Sequence, residues 1–186
     1  MKLRFTSLMG VVVLCVCFIN VASAQSFHQL SIDDFQGAPN YNKQGVIAYT
    51  NCTIDFRYEA HREVNYYRLD FDIRLMLNNY KSWMDKRRVT SEEMLAEILK
   101  HEQGHYTIAY LEQQELLRIV SKTVFHADYQ NEARNIFDRV DAKYKQLNYS
   151  YDEDTRHMLN RVQQQSWDAY FRKQLEYMPI AENRSN

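Results

Sequence analysis

From residue 52 to 59 the chain alternates strictly, with Cys52, Ile54, Phe56 and Tyr58 on one face and Thr53, Asp55, Arg57 and Glu59 on the other. After a polar break at His61-Arg62-Glu63, a second alternation sets Tyr67, Leu69, Phe71, Ile73, Leu75 and Leu77 against Arg68, Asp70, Asp72 and Arg74. Successive side chains of a strand point to opposite faces of a sheet. This period of two therefore predicts two half-buried strands, most simply an antiparallel hairpin with one wet face.

Further on the period becomes helical. From about 91 to about 124, Met94, Ile98, Ile108, Leu116, Leu117, Ile119 and Val120 recur at helical spacing. Thr90-Ser91-Glu92-Glu93 reads as a capping box, with the Thr90 hydroxyl and the Glu93 carboxylate satisfying each other's backbone donors. A second helical segment, about 128–147, carries Ile136, Val140, Tyr144 and Leu147, and 148–154 reads as a break. The last helix is expected from about Thr155 to Met178, stopped by Pro179, with Leu159, Val162, Trp167, Phe171 and Leu175 as its buried side. Residues 25–45 have no period and read as an irregular lead-in with room for one short strand, and 80–88 as a basic, Trp83-containing connection. Strands first and helices afterwards predict an α+β fold, a small antiparallel hairpin-based sheet packed against about three helices.

The first two dozen of the 186 residues change the picture of where the protein works. Lys2 and Arg4, an apolar run from 8 to 21 and Ala22-Ser23-Ala24 have the form of an export signal, cleaved before Gln25. The run is too short and wrongly flanked for a membrane span, and neither Cys15 nor Cys17 is placed as a lipid anchor. The expected organisation is a leader, 1–24, and one domain, 25–186, exported to the periplasm or beyond and without a stable membrane anchor. Losing the leader removes Lys2 and Arg4 and no acid, leaving 21 basic against 24 acidic residues. That balance argues against a nucleic-acid partner, which needs a basic face. Cys52 is the one cysteine beyond the leader, so stability is expected from packing, with help from a metal.

The candidate chemistry lies in His101-Glu102-Gln103-Gly104-His105. A spacing of four returns a helical side chain to the same face one turn on, so both imidazoles can serve one metal ion. Glu102 sits beside them to take a proton from a water on that metal, the HExxH arrangement of zinc peptidases. The plain alternative is a pair of buried structural histidines. A catalytic zinc needs a third protein ligand. A metzincin continuation is excluded by Ile108 and Leu111, and Glu112 stands two turns beyond His105, about 10 Å along the axis. His126 and His157 remain, and spacing does not choose between them.

The chain resembles the bacterial domain of unknown function 922 family, described as predicted secreted zinc-dependent proteases. The resemblance rests on Asp34-Phe35-Gln36-Gly37-Ala38-Pro39, Ala48-Tyr49-Thr50, Leu99-Lys100 with the HEQGH element, Tyr151-Asp152 through Thr155 and His157, and Trp167. It implies His157 as third ligand, in the first turn of the last helix. The family usually has Gly after that His, where this chain has Met158.

These residues make an exported zinc metallopeptidase the expected function, acting on a peptide or protein substrate. Zn2+ would be held by His101, His105 and His157, Glu102 would be general base, and the Tyr151 phenol is a candidate donor to the oxyanion. Asp152, Glu153 or Asp154 could orient His157 or cap the helix. Gly104, costly inside a helix by about 1 kcal/mol, implies that something needs room there. Two alternatives share the residues. One is an exported structural or binding protein with a closed four-ligand zinc, an acid from 152 to 154 filling the open position. The other is a metal-dependent amidase acting on cell-wall peptides.

Overall fold

The computed structural model describes residues 26–43 and 45–177. The leader, the 178–186 tail and Pro179 lie outside the described residues. Four strands, β1 (Ala48–Tyr49), β2 (Cys52–Arg62), β3 (Tyr67–Leu77) and β4 (Trp83–Met84), precede three helices, α1 (Glu92–Val120), α2 (Tyr129–Thr155) and α3 (Arg161–Tyr177). The fold is α+β, with a small antiparallel sheet set and three helices. No helix among the described residues is long and apolar enough to cross a membrane.

β2 and β3 form the expected hairpin, in register from Cys52↔Leu77 to Arg62↔Tyr67. The alternation sets Ile54 opposite Leu75, Phe56 opposite Ile73 and Tyr58 opposite Phe71. This face packs on α1 and α2 in a core that includes Ile108, Leu111, Leu116, Val140 and Tyr144. The wet face carries short-range ion pairs, Asp55 with Arg57 and Asp72 with Arg74.

The connection 80–88 holds more structure than its composition suggests. β4 pairs with β1, Trp83 also bridges to Gly37, and Trp83 and Met84 are buried. A Cβ on Gly37 would stand 2.8 Å from the Tyr80 carbonyl oxygen and 2.9 Å from that of Ser82, so only glycine lets the lead-in lie this close. Lead-in, β1 and β4 thereby make a clasp over the N-terminal half of α1. Gln103 fastens it, accepting from the Leu30 N–H at 2.7 Å and donating to the His28 carbonyl at 3.1 Å.

α1 is walled by the clasp, the hairpin and the other helices, so it buries residues around most of its circumference, among them Ile98, His101, Glu102, Tyr106, Ile108 and Leu111. Its start is one residue later than the sequence suggests. Ser91 is the N-cap, accepting from the Met94 N–H at 3.1 Å, while the Thr90 hydroxyl turns to the Met94 sulfur. The helix ends at Val120, short of 124.

The largest departure from expectation is α2, which runs unbroken through 148–154. Tyr151 and Thr155 are fully buried against the rest of the protein, and Thr155 returns its hydroxyl to the Tyr151 carbonyl at 2.6 Å. Tertiary burial keeps helical a stretch whose polar composition reads as a turn. The helix stops where Arg156 goes left-handed, and α3 starts at Arg161 rather than at Thr155. Leu159 and Val162, expected inside, are exposed, and α3 buries Gln164 and Phe171, with Trp167 and Leu175 packed beside them.

Candidate metal centre

His101 and His105 occupy one face of α1, and their Nε2 atoms stand 3.2 Å apart. The far nitrogen of each ring is tied down. His105 Nδ1 meets Asn148 Oδ1 at 2.7 Å, so it donates there and leaves an Nε2 lone pair. His101 Nδ1 meets Gln164 Oε1 at 3.2 Å. The Gln164 orientation is itself fixed, because its Nε2 donates to the Asp168 carboxylate at 2.9 Å and to the Tyr151 hydroxyl at 2.8 Å. Oε1 is then an acceptor, His101 Nδ1 the donor, and His101 Nε2 a second lone pair facing the first.

A carboxylate joins them. Asp152 Oδ1 lies 3.3 Å from His101 Nε2, 3.2 Å from His105 Nε2 and 3.1 Å from His157 Nδ1. Two imidazole lone pairs and a carboxylate at these separations repel one another unless a cation lies between them. Tetrahedral zinc with bonds of about 2.0–2.1 Å spaces its ligand atoms about 3.3–3.4 Å apart, close to the contacts seen here. The donor set, imidazoles with a carboxylate, also suits zinc. One ligand atom from each of His101, Asp152 and His157 falls within 4.8 Å of the others. These residues fit the metal that the HExxH spacing implies.

The electrostatics agree. Burial alone would lower the basicity of His105, but the Asp152 contact and the Glu102 charge reverse this and push it up to about 9. Burial would raise the Asp152 carboxyl, but its bonds to His101 and His105 hold it far below the usual carboxylate range. The pocket attracts positive charge, whether proton or metal, and the two compete.

Glu102 lines the same small cavity, about 80 Å³, as His101, His105, Asp152 and His157. It is 3% exposed, and its Oε2 accepts from the Thr50 hydroxyl at 2.7 Å. Thr50 follows β1 directly, so the clasp aims the acid. Nothing local to Ala48-Tyr49-Thr50 marks this role, which depends on where the clasp meets α1.

Tyr151 is not free to serve an oxyanion. It is 0% exposed, and its hydroxyl donates to the His101 carbonyl at 3.0 Å and accepts from Gln164. Its ring stacks on the His101 ring, 4.8 Å between centroids. Gly104 makes room for it, since a Cβ there would clash with the Tyr151 hydroxyl and the ring carbons next to it. The room that Gly104 leaves is taken by this side chain, which positions His101.

His157 reaches the centre from a different place than expected, a link between α2 and α3 in which Arg156, His157 and Met158 all have positive φ, 48°, 49° and 77°. His126 does not come near. It lies past the end of α1, about 22 Å of helix beyond His105, and is paired at the surface with Glu132. His28 and His61 are likewise paired locally, with Asp34 and Asp70. No sequence signal marks Asn148 or Gln164 as a partner of a histidine. Of the acids 152–154, expected to orient His157, cap the helix or fill an open metal position, it is Asp152 that faces the histidines.

A larger cleft, about 510 Å³, opens from His105 and Asp152 and runs between β2 and α2 past Ile54, Phe137 and Tyr144. No curated protein and no solved structure matches the chain. A family model matches residues 23–158, a span that takes in the clasp, the hairpin, α1 and α2 and ends one residue after His157. This chain belongs to the DUF922 family, bacterial proteins of unknown function.

Proposed function

We propose that the protein is an exported zinc-dependent metallopeptidase. The observation that carries the reading is the convergence of two fixed imidazole lone pairs, a carboxylate and a third imidazole beside a buried glutamate, at the end of an open cleft. Bound zinc would polarise a water and offset negative charge on a peptide carbonyl. His101 and His105 would hold it through Nε2 and His157 would be the third ligand, with Asp152 orienting the rings and the fourth position left to water. Thr50 occupies Glu102 Oε2 and leaves Oε1 to take the proton of the attacking water and return it to the leaving amine. Asn148, Gln164 and Tyr151 act through the histidines, fixing tautomer and ring position. The leader-like start supports export.

Replacing Glu102→Gln tests the reading. Zinc content, measured by elemental analysis after dialysis, should stay near one per chain while peptide hydrolysis falls by about 10²–10⁴-fold. Unchanged hydrolysis in a clean preparation would sink the mechanism.

A second reading rests on Asp152, whose carboxylate contacts all three histidines. If it and His157 both ligate, the site is closed and zinc braces α1 against the α2–α3 junction without turnover. A zinc-loaded wild-type protein that hydrolyses no member of a broad peptide library would favour this brace.

A further inference from the structure

Glu112 is an acid that the proposed centre leaves unused. It stands seven residues past His105 on α1, about 10 Å along the axis, and lines the large cleft that opens at His105 and Asp152. The surrounding wall is mixed, with Ile54 on β2 and Phe137 and Tyr144 on α2 set among polar side chains such as Thr53 and Asn148. Two other charges lie at this end, and they answer each other, since Lys145 Nζ holds Asp141 Oδ2 at 2.7 Å. Glu112 has no hydrogen bond or salt bridge among the described residues; Asp141 and Lys145 act on it only through their charges. Glu115, nearly one turn on, is by contrast held by Lys143 and by the Tyr144 hydroxyl.

An unpaired carboxylate held partly out of water is expensive. Burial, with the Asp141 charge added and Lys145 offsetting part of it, pushes the Glu112 carboxyl up to about 7. A neutral side chain would fill the position more cheaply. A cation entering the cleft would ionise Glu112 and gain a charge-assisted hydrogen bond shielded from water. Ile54, Phe137 and Tyr144 in the wall suit the methylene stem that carries such a cation.

We propose that Glu112 determines specificity in this cleft, receiving the lysine or arginine side chain of a peptide whose backbone reaches the His101–His105 centre. The distance fixes the register. About 10 Å corresponds to about three extended residues, and the long stem of lysine or arginine covers part of it. The cationic residue therefore lies within three positions of the bond at the metal. This assignment rests on the peptidase reading for the identity of the ligand as a peptide.

The test separates the two ideas by measuring binding as well as cleavage. The zinc-loaded Glu102→Gln protein is titrated against three fluorescein-labelled peptides, identical Ala/Gly sequences with a single lysine, norleucine or glutamate, and anisotropy is followed. The lysine peptide should bind about tenfold tighter than the norleucine peptide, and the glutamate peptide weakest. Adding Glu112→Gln should bring lysine and norleucine level, and Glu112→Lys should turn the preference toward glutamate. Circular dichroism and zinc content confirm that each variant is folded and loaded. Equal binding of lysine and norleucine, a preference that survives Glu112→Gln, or no binding of any of the three overturns the assignment. Cleavage by the wild type without lysine preference overturns it and leaves the peptidase standing. Lysine-selective, Glu112-dependent binding with no wild-type cleavage does the reverse.

Discussion

At Met158 the backbone takes φ 77°, after two further left-handed residues. A side chain in that region is crowded against its own carbonyl, at a cost of roughly 1–2 kcal/mol. The link must turn sharply here to bring His157 to Asp152, a conformation that glycine would take without this strain. Met158→Gly should stabilise the protein by about 0.5–1 kcal/mol in urea unfolding, once the lost packing of the methionine is subtracted. Glu112 is the other residue with a measurable penalty. Its folded carboxyl is raised from an ordinary 4.5 to about 7, so the folded state holds the extra proton between those values. Stability then falls as pH rises through that window. The groups facing it are Asp141, Lys145 and Tyr144 from α2 and Cys52 from β2. Glu112→Gln should gain about 1 kcal/mol at pH near 8 and nothing at pH near 4, a figure discounted for partial exposure. Equal denaturation midpoints for the two proteins at pH near 8 would contradict it.

At the scale of elements, α2 shows what a hydrophobicity pattern can and cannot reveal. Asn148, Tyr151, Asp152 and Thr155 follow the i, i+3, i+4, i+7 spacing of a helix face, and that face looks at α1. Three of the four are polar, because what they meet is a histidine pair and a backbone rather than a dry core. A period sought in apolar residues therefore ends at Leu147 and reports a break. The hairpin was legible for the converse reason: its buried face is apolar throughout, and a one-residue slip would turn every side chain over. If Asn148 holds the His105 tautomer, Asn148→Ala should weaken zinc about 10–100-fold in competition with a chelator. A merely structural role would lower the unfolding midpoint of the zinc-free protein and leave the competition unchanged.

At the scale of the molecule, the centre joins parts far apart in sequence. His101 and His105 come from α1, Asp152 and His157 from the end of α2 and beyond, Gln164 from α3, and Thr50 from the clasp. A metal held by these residues ties the helices and the clasp together, and ligand binding stabilises the state that contains the site. At zinc about 100-fold above its Kd the gain is about 2.7 kcal/mol, which for a chain of this size corresponds to a rise in Tm of roughly 5–10 °C. Calorimetry with and without a competitive chelator measures it.

Periodicity by itself determined the hairpin, the existence and approximate length of α1, the α+β order, and the pair His101 and His105 with Glu102 beside them. These are local facts, set by periods of two and of about 3.6, and a short sequence contains them whole. The sequence resemblance added His157. The tertiary structure decided the rest: that Asp152 faces all three histidines, that Asn148 and Gln164 fix the tautomers, that Tyr151 fills the space above Gly104, and that Thr50 aims Glu102. Each of these depends on which faces of separate elements meet, and polar residues that bury themselves against one another leave no hydrophobic period to read.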